Sequence, residues 1–127
     1  MTGMPSGFIL DKIGHVLLGV SDVERSTAFY RDKLGMKLLG THPGIAFFHG
    51  GGVTLMLSAE LVKASSSLTG ATEIVFAVEN VQAAYAALQA RGVEFLREPR
   101  QVTPTDWAAN FRDPDGHLLS VFGPQGG

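Results

Sequence analysis

Two ionisable residues begin two similar stretches of this sequence. His15 opens HVLLGVSDVERSTAFYRDKLG, and Glu73 opens EIVFAVENVQAAYAALQARG. An imidazole and a carboxylate are both suitable ligands for a divalent metal, and together they can also supply a general base. As an unreactive pair they would instead form a hydrogen bond that orients the wall of a cavity. Which of these roles applies depends on the elements that carry the two residues.

Each stretch predicts the same series of elements: an apolar strand, a polar cap, a helix and a closing glycine. Ser21 and Glu24 have the spacing of a capping box, and Asn80 is a suitable N-cap for the second helix. Apolar residues then recur at helical spacing in both stretches. Gly35 and Gly92 follow them and predict the C-terminal stops.

Short apolar runs separated by turn residues predict three further strands in each half. The first half contains MKLLGTH and GIAFFHGGGVTLMLS, and the second contains VEFLREP and the runs on either side of RDPDG. The sequence therefore predicts an α+β domain of two β-α-β-β-β modules, at about residues 13–58 and 72–123. Residues 59–71 lack persistent periodicity, and we expect a mobile connector that covers a cavity or only joins the modules.

Composition limits the classes of function. The chain has 127 residues, 45% of them hydrophobic, a net charge of −2 and no cysteine. This length suits one domain, and the absence of a basic run makes nucleic acid an unexpected partner. No apolar stretch is long enough to span a membrane. We expect a soluble, cytoplasmic protein without disulfides or thiolate chemistry.

The chain resembles the vicinal oxygen chelate superfamily, which includes glyoxalase I, bleomycin-resistance proteins, fosfomycin-resistance enzymes and extradiol dioxygenases. The resemblance rests on GHVLLGVSDVERSTAFYRDKLGMKLL, on TEIVFAVENVQAAYAALQARGVEF and on FRDPDGHLLSVFG. It implies paired modules that form cupped mixed sheets around a cavity. It also implies a homodimer, and we expect each cavity to be shared between modules of the two chains. Whether the modules pair within one chain or between chains stays open.

The resemblance further implies four ligand positions on the first and last strands of the modules: His15, Met56, Glu73 and Ser120. Two of these residues, Met56 and Ser120, offer a thioether and a neutral hydroxyl, which are poor ligands for hard cations. The site then holds at most one divalent ion (Mn, Fe, Ni, Zn or Mg), with His15 and Glu73 as its metal ligands. Without a metal, His15 and Glu73 remain the candidate catalytic pair.

Strand alternation extends this predicted cavity. Leu17 and Gly19 should share the face of His15, and Val75 and Ala77 that of Glu73. The predicted ligand contacts combine polar points with apolar and aromatic side chains: Thr54, Met56, Ser120, Phe47, Trp107 and Phe111. For the aromatic residues, ordinary core packing is the alternative interpretation.

The remaining histidines and the charged turn have simpler interpretations. His42, His49 and His117 are interpreted as surface or turn histidines. Arg112 and Asp113 are interpreted as residues of the RDPDG turn that form a salt bridge or cap the turn.

Three functions remain open at this point. The first is a protein that binds an apolar or aromatic small molecule without a complete metal set. The second is a divalent-metal lyase, isomerase or dioxygenase that uses His15 and Glu73. The third is metal-free acid–base chemistry by the same pair. The residues at positions 56 and 120 favour the first.

Overall fold

The computed structural model describes residues 13–64 and 72–126. In these ranges the chain forms eight strands and three helices, the first of which continues into a π-helical turn. In chain order they are β1 (His15–Gly19), α1 (Val23–Ala28) with its π-helical turn (Phe29–Lys33), β2 (Leu38–His42), β3 (Ile45–His49), β4 (Thr54–Ser58), α2 (Ala59–Ala64), β5 (Glu73–Ala77), α3 (Val81–Ala90), β6 (Phe95–Gln101), β7 (Trp107–Arg112) and β8 (Leu118–Gly123). None of these helices has the length and apolarity needed to cross a membrane.

The strands form two four-stranded mixed sheets of the same topology. The first sheet has the order β1-β4-β3-β2 and the second has the order β5-β8-β7-β6. In each sheet the first and last strands of the module pair in parallel, and the other pairs are antiparallel. This arrangement confirms the predicted α+β fold of two cupped mixed sheets.

Both sheets contribute to one hydrophobic core. Apolar residues alternate along the strands, so one face of each sheet packs against helices and against the other module. The largest fully buried apolar and aromatic side chains come from both modules: Tyr30, Phe48, Phe111, Leu57, Leu119, Val20 and Val81. We call the opposite face of each sheet, which points away from this shared core, its outer face.

The N-cap prediction is confirmed for α3 and wrong for α1. Asn80 caps α3 as predicted, since its Oδ1 accepts from the Ala83 N–H at 2.9 Å. The predicted capping box at α1 is wrong. The N-cap is Asp22, whose Oδ1 accepts from the Arg25 N–H at 3.0 Å. Ser21 is unavailable as a cap because its N–H and hydroxyl both donate to a carboxylate of the second module.

The helix of the first module ends in a wider turn than a regular α-helix. The Leu34 N–H donates to the Phe29 carbonyl at 3.1 Å, and this five-residue spacing defines the π-helical turn. Gly35 follows with φ 76°, as predicted for a C-terminal glycine. The wider turn places both Phe29 and Tyr30 in the core.

The predicted connector is partly helical, which corrects the expectation of an irregular segment. The helix α2 begins directly after β4, where the Ser58 hydroxyl accepts from the Leu61 N–H at 3.3 Å. Periodicity failed to indicate it because six residues are too few for a recurring apolar stripe. The rest of the connector, residues 65–71, lies outside the described residues.

The turn between β7 and β8 joins the second module to α1. One Asp115 carboxylate oxygen accepts from the Ser21 N–H at 3.0 Å and from the Ser21 hydroxyl at 2.6 Å. The other accepts from the Ser26 hydroxyl at 3.2 Å. Within the turn, Asp113 accepts from the Asp115 N–H and the His117 N–H, which confirms its predicted capping role.

A buried hydrogen bond strengthens the same contact. The Tyr30 hydroxyl donates to Asp113 Oδ2 at 2.8 Å, and both residues are buried. Burial, together with the neighbouring Asp113 carboxylate, raises the pKa of Tyr30 well above its ordinary value. This shift favours the protonated hydroxyl, which is the form that donates to Asp113.

His117 is buried, not exposed as predicted. Its Nε2 lies 2.6 Å from the carbonyl oxygen of Gly19 in β1. A carbonyl only accepts, so Nε2 must carry the proton. The other ring nitrogen, Nδ1, is buried without a partner among the described residues. This histidine, which directly precedes β8, thus links the β7–β8 turn of the second module to β1 of the first.

Candidate functional site

The outer face of the first sheet carries the predicted residues of the first module. His15 and Leu17 of β1 lie beside Thr54 and Met56 of β4 in the parallel register. Phe47 of β3 pairs with Met56 on its other side. His15 and Leu17 are exposed, whereas the other three side chains are half-buried. This face therefore presents an imidazole at one end of an apolar surface.

The outer face of the second sheet carries Glu73 and Ser120, the two positions of this module that the resemblance implies, and two residues that the sequence did not indicate. The Nδ2 of Asn110 donates to Glu73 Oε2 at 3.0 Å. The Nη1 of Arg100 donates to Asn110 Oδ1 at 2.7 Å. Asn110 lies opposite Ser120 in the β7–β8 register, so the strand pairing brings all these side chains to one face.

A single chain does not bring His15 and Glu73 together. Each lies exposed on the outer face of its own sheet, and the two outer faces point away from the shared core. The hydrogen-bond partner of Glu73 is Asn110, not His15. If the two residues share a cavity, the cavity must include a second copy of the chain.

The two predicted aromatic contacts of the second module lie on its core side. Phe111 is fully buried, with its ring centroid 5.1 Å from that of Phe95. Trp107 is half-buried and packs against the core. Because both side chains alternate with Asn110, they point away from the outer face. Core packing, the alternative interpretation, describes both positions, and we do not place them in the candidate site.

The match to a protein-family model shows to which family the chain belongs. The model of the Glyoxalase/Bleomycin resistance protein/Dioxygenase superfamily matches residues 12–121. The chain belongs to this superfamily.

Individual members of the superfamily that resemble the chain differ in what they are named for. The metallothiol transferase FosB of Shouchella clausii is 31% identical over 117 residues, which cover 89% of this chain and 80% of that protein. A probable lactoylglutathione lyase of Vibrio parahaemolyticus is 30% identical over 123 residues, covering 87% and 89%. The crystal structure of TnmS3, an antibiotic binding protein from a Streptomyces species, has a TM-score of 0.77 and 27% identity, covering 92% and 98%. Membership therefore establishes the fold and leaves the activity open.

The donor set of this superfamily member does not fit the divalent metal that the resemblance implies. Three protein ligands are usual in a catalytic metal site. Within a single chain, over residues 13–64 and 72–126, no three histidine, aspartate or glutamate side chains cluster so as to hold a metal ion. The outer faces offer His15 and Glu73 as good donors, and Met56 and Ser120 as poor ones. One Glu73 oxygen is also engaged by Asn110.

A cavity of about 310 Å³ opens on the core side, between the two modules. Its lining is mostly apolar: Leu34, Met36, Phe76, Ala77, Val78, Ala84, Ala87, Leu88, Arg91, Phe111 and Val121. Neither His15 nor Glu73 reaches it. This cavity is therefore distinct from the outer faces that carry the predicted site residues.

Proposed function

We propose that the chain binds an apolar or aromatic small molecule in a hollow formed by two copies. In this hollow, the outer face of the first sheet of one copy faces the outer face of the second sheet of the other. The observation that carries the proposal is the exposure of large apolar side chains beside the predicted site residues. Leu17, next to His15 in β1, is 43% exposed, and Val75, next to Glu73 in β5, is 52% exposed.

The composition of the two faces supports a binding role. The first sheet contributes Phe47 and Met56, with Thr54 as a polar point, and the second contributes Phe122. Ser120 belongs to the same face of the second sheet but is only 2% exposed. Small-molecule sites are usually concave, mostly apolar and supplied with a few well-placed polar groups. The named antibiotic-binding role of TnmS3, a protein of the same fold, agrees with this composition.

His15 and Glu73 act in this proposal as polar groups at the two edges of the hollow. Each can form a hydrogen bond with a ligand, or with the other residue across the interface between copies. A binding function requires neither a third metal ligand nor a proton transfer. It therefore accounts for the thioether at position 56 and the hydroxyl at position 120.

Sedimentation and fluorescence together test the proposal. We expect the protein to sediment as a dimer and to increase the fluorescence of anilinonaphthalene sulfonate, a probe that responds to apolar sites. Leu17→Glu places a charge on the outer face and should weaken both dimerisation and probe binding. Ala86→Glu is the matched control, since Ala86 is exposed on α3, a helix that packs on the core face of the second sheet and not on an outer face. It should change neither.

Two outcomes would contradict the proposal. A monomer that does not bind the probe would remove the hollow altogether. Stoichiometric transition metal in protein purified without chelator, lost in His15→Ala, would show that His15 is a metal ligand. That second result would favour the metal-dependent lyase, isomerase or dioxygenase over the binding protein.

A further inference from the structure

An amide links a cation and an anion on the outer face of the second sheet. Asn110, which is 7% exposed, donates through Nδ2 to Glu73 and accepts through Oδ1 from Arg100. Both ends of the amide are therefore occupied, and its orientation is set by its neighbours. Because the amide lies between them, the guanidinium and the carboxylate interact through Asn110 and not with each other.

Arg100 is half-buried and its protein partners are neutral. Besides Asn110 Oδ1, its Nη1 lies 3.4 Å from the Ala108 carbonyl oxygen. In the part of the chain that the structure describes, the ion pairs join Arg25 to Asp115 and Arg31 to Asp32, and none includes Arg100. A partly buried charge without a counterion is unfavourable. The Nε and Nη2 donors of Arg100 also have no acceptor among the described residues.

The strand register places an apolar row beside this guanidinium. Arg100 pairs with Ala108, Ala108 with Phe122, and Phe122 with Ala77. Neighbouring strands lie about 4.8 Å apart, so the backbone of Phe122 is about 10 Å from that of Arg100. A bicyclic aromatic ring has a comparable length. A ligand whose body lies on Phe122 can thus extend an acidic group to Arg100.

We propose that Arg100 binds an oxyanion of the ligand, and that the ligand is an apolar or aromatic molecule with a carboxylate, sulfonate, phosphate or phosphonate group. The planar guanidinium fork matches such groups with two parallel hydrogen bonds. Asn110 positions the fork and separates it from direct contact with Glu73. This inference rests on the proposed function, because it names the class of ligand for the same hollow.

Two fluorescent probes that differ in one group test the proposal. Anilinonaphthalene sulfonate carries an oxyanion, and N-phenylnaphthylamine has the same aromatic skeleton without it. We expect Arg100→Gln to weaken binding of the sulfonate by about tenfold or more, the range for losing a hydrogen bond between charged groups. Binding of the uncharged probe should change by less than about twofold, since only apolar contact holds it.

Two further variants keep the test specific. Arg31→Gln is the matched control, because it makes the same change of charge at an exposed ion pair of the first module, and it should leave both probes unaffected. Arg100→Lys retains the charge without the fork and should give an intermediate loss for the sulfonate. Melting temperatures of all variants show whether each is folded.

The outcomes separate this inference from the proposed function. Suppose that the wild-type protein binds both probes. If Arg100→Gln then weakens the binding of neither probe, or of both equally, the proposed hollow is supported and the role of Arg100 is refuted. If the wild-type protein binds neither probe, the hollow and the inference fail together. A loss confined to the sulfonate supports both.

Discussion

Asp115 provides the most direct test of how the two modules are joined. Asp115→Ala removes the carboxylate that accepts from the Ser21 N–H, the Ser21 hydroxyl and the Ser26 hydroxyl. These donors belong to α1 and its preceding turn, whereas Asp115 lies between β7 and β8. The substitution therefore breaks a contact between modules without creating a cavity in the core.

The expected loss of stability follows from the burial of each donor. A buried hydrogen bond to a charged group contributes about 1.5–3 kcal/mol, and the bonds at exposed Ser21 are worth less because water replaces them. Ser26 is fully buried, so its hydroxyl loses its acceptor outright. The ion pair with half-exposed Arg25 adds little. We expect the free energy of unfolding to fall by about 2–4 kcal/mol in total.

Urea denaturation measures this change, followed by circular dichroism and by the fluorescence of Trp107, the sole tryptophan. The matched control is Asp32→Ala, which removes a carboxylate from an exposed ion pair with the adjacent Arg31 and should change stability little. If Asp115→Ala is as stable as Asp32→Ala, the contact does not hold the modules together and the reasoning is refuted.

The stabilisation by Asp115 should also depend on pH. Partial burial acts to raise the pKa of Asp115, but hydrogen bonds from Ser21 and Ser26 and the charge of Arg25 outweigh it and hold the pKa below its ordinary value. A lower pKa in the folded state means that the stabilisation is complete above about pH 4 and is lost as the pH falls through the folded value. The difference in stability between the wild type and Asp115→Asn should therefore narrow below about pH 4.

Four further substitutions test the core, the faces and a helix cap. Tyr30→Phe deprives buried Asp113 of a hydrogen-bond donor. It should lower the free energy of unfolding, measured by urea denaturation, by about 1–3 kcal/mol. Phe48→Ala should lower the free energy of unfolding by about 3–5 kcal/mol because Phe48 is fully buried. Neighbouring Phe47 lies on the outer face, so Phe47→Ala should lower the free energy of unfolding much less. It should instead weaken binding of the fluorescent probes. Asn80→Ala removes the N-cap of α3 and should lower the free energy of unfolding by about 0.5–2 kcal/mol. If α3 frays independently, the helical circular dichroism signal of this variant decreases before global unfolding.

Much of the fold could be predicted from local patterns. The duplicated strand–helix segments, the closing glycines and the alternation of apolar residues depend on interactions within a few residues along the chain. Alternation alone placed His15 with Leu17, and Glu73 with Val75, on one face of their strands. The same reasoning failed where a local signal competed with a distant partner: Ser21 fits a capping box, but Asp115 takes its donors.

The candidate site was less predictable because it depends on pairing between strands. Periodicity does not give the register of β6 against β7, which is interrupted by two irregularities near Arg97. Without that register, nothing in the sequence indicates that Arg100 and Asn110 meet beside Glu73. Phe111 and Trp107 illustrate the complementary error, since an aromatic residue near a predicted site has the same local pattern whether it faces the ligand or the core.

The sequence by itself determined the two modules, the strands and helices within them, and which side chains share a face with His15 and with Glu73. These features follow from the two-residue period of a strand and from local capping chemistry. Only the tertiary structure decided that the helix-covered faces of both sheets share one core, and hence that His15 and Glu73 point outward in a single chain. It also decided that His117 is buried against Gly19 and that Arg100 meets Asn110. These contacts join residues far apart in the chain. They depend on how the elements pack together, and the periodic pattern of apolar residues does not specify that packing.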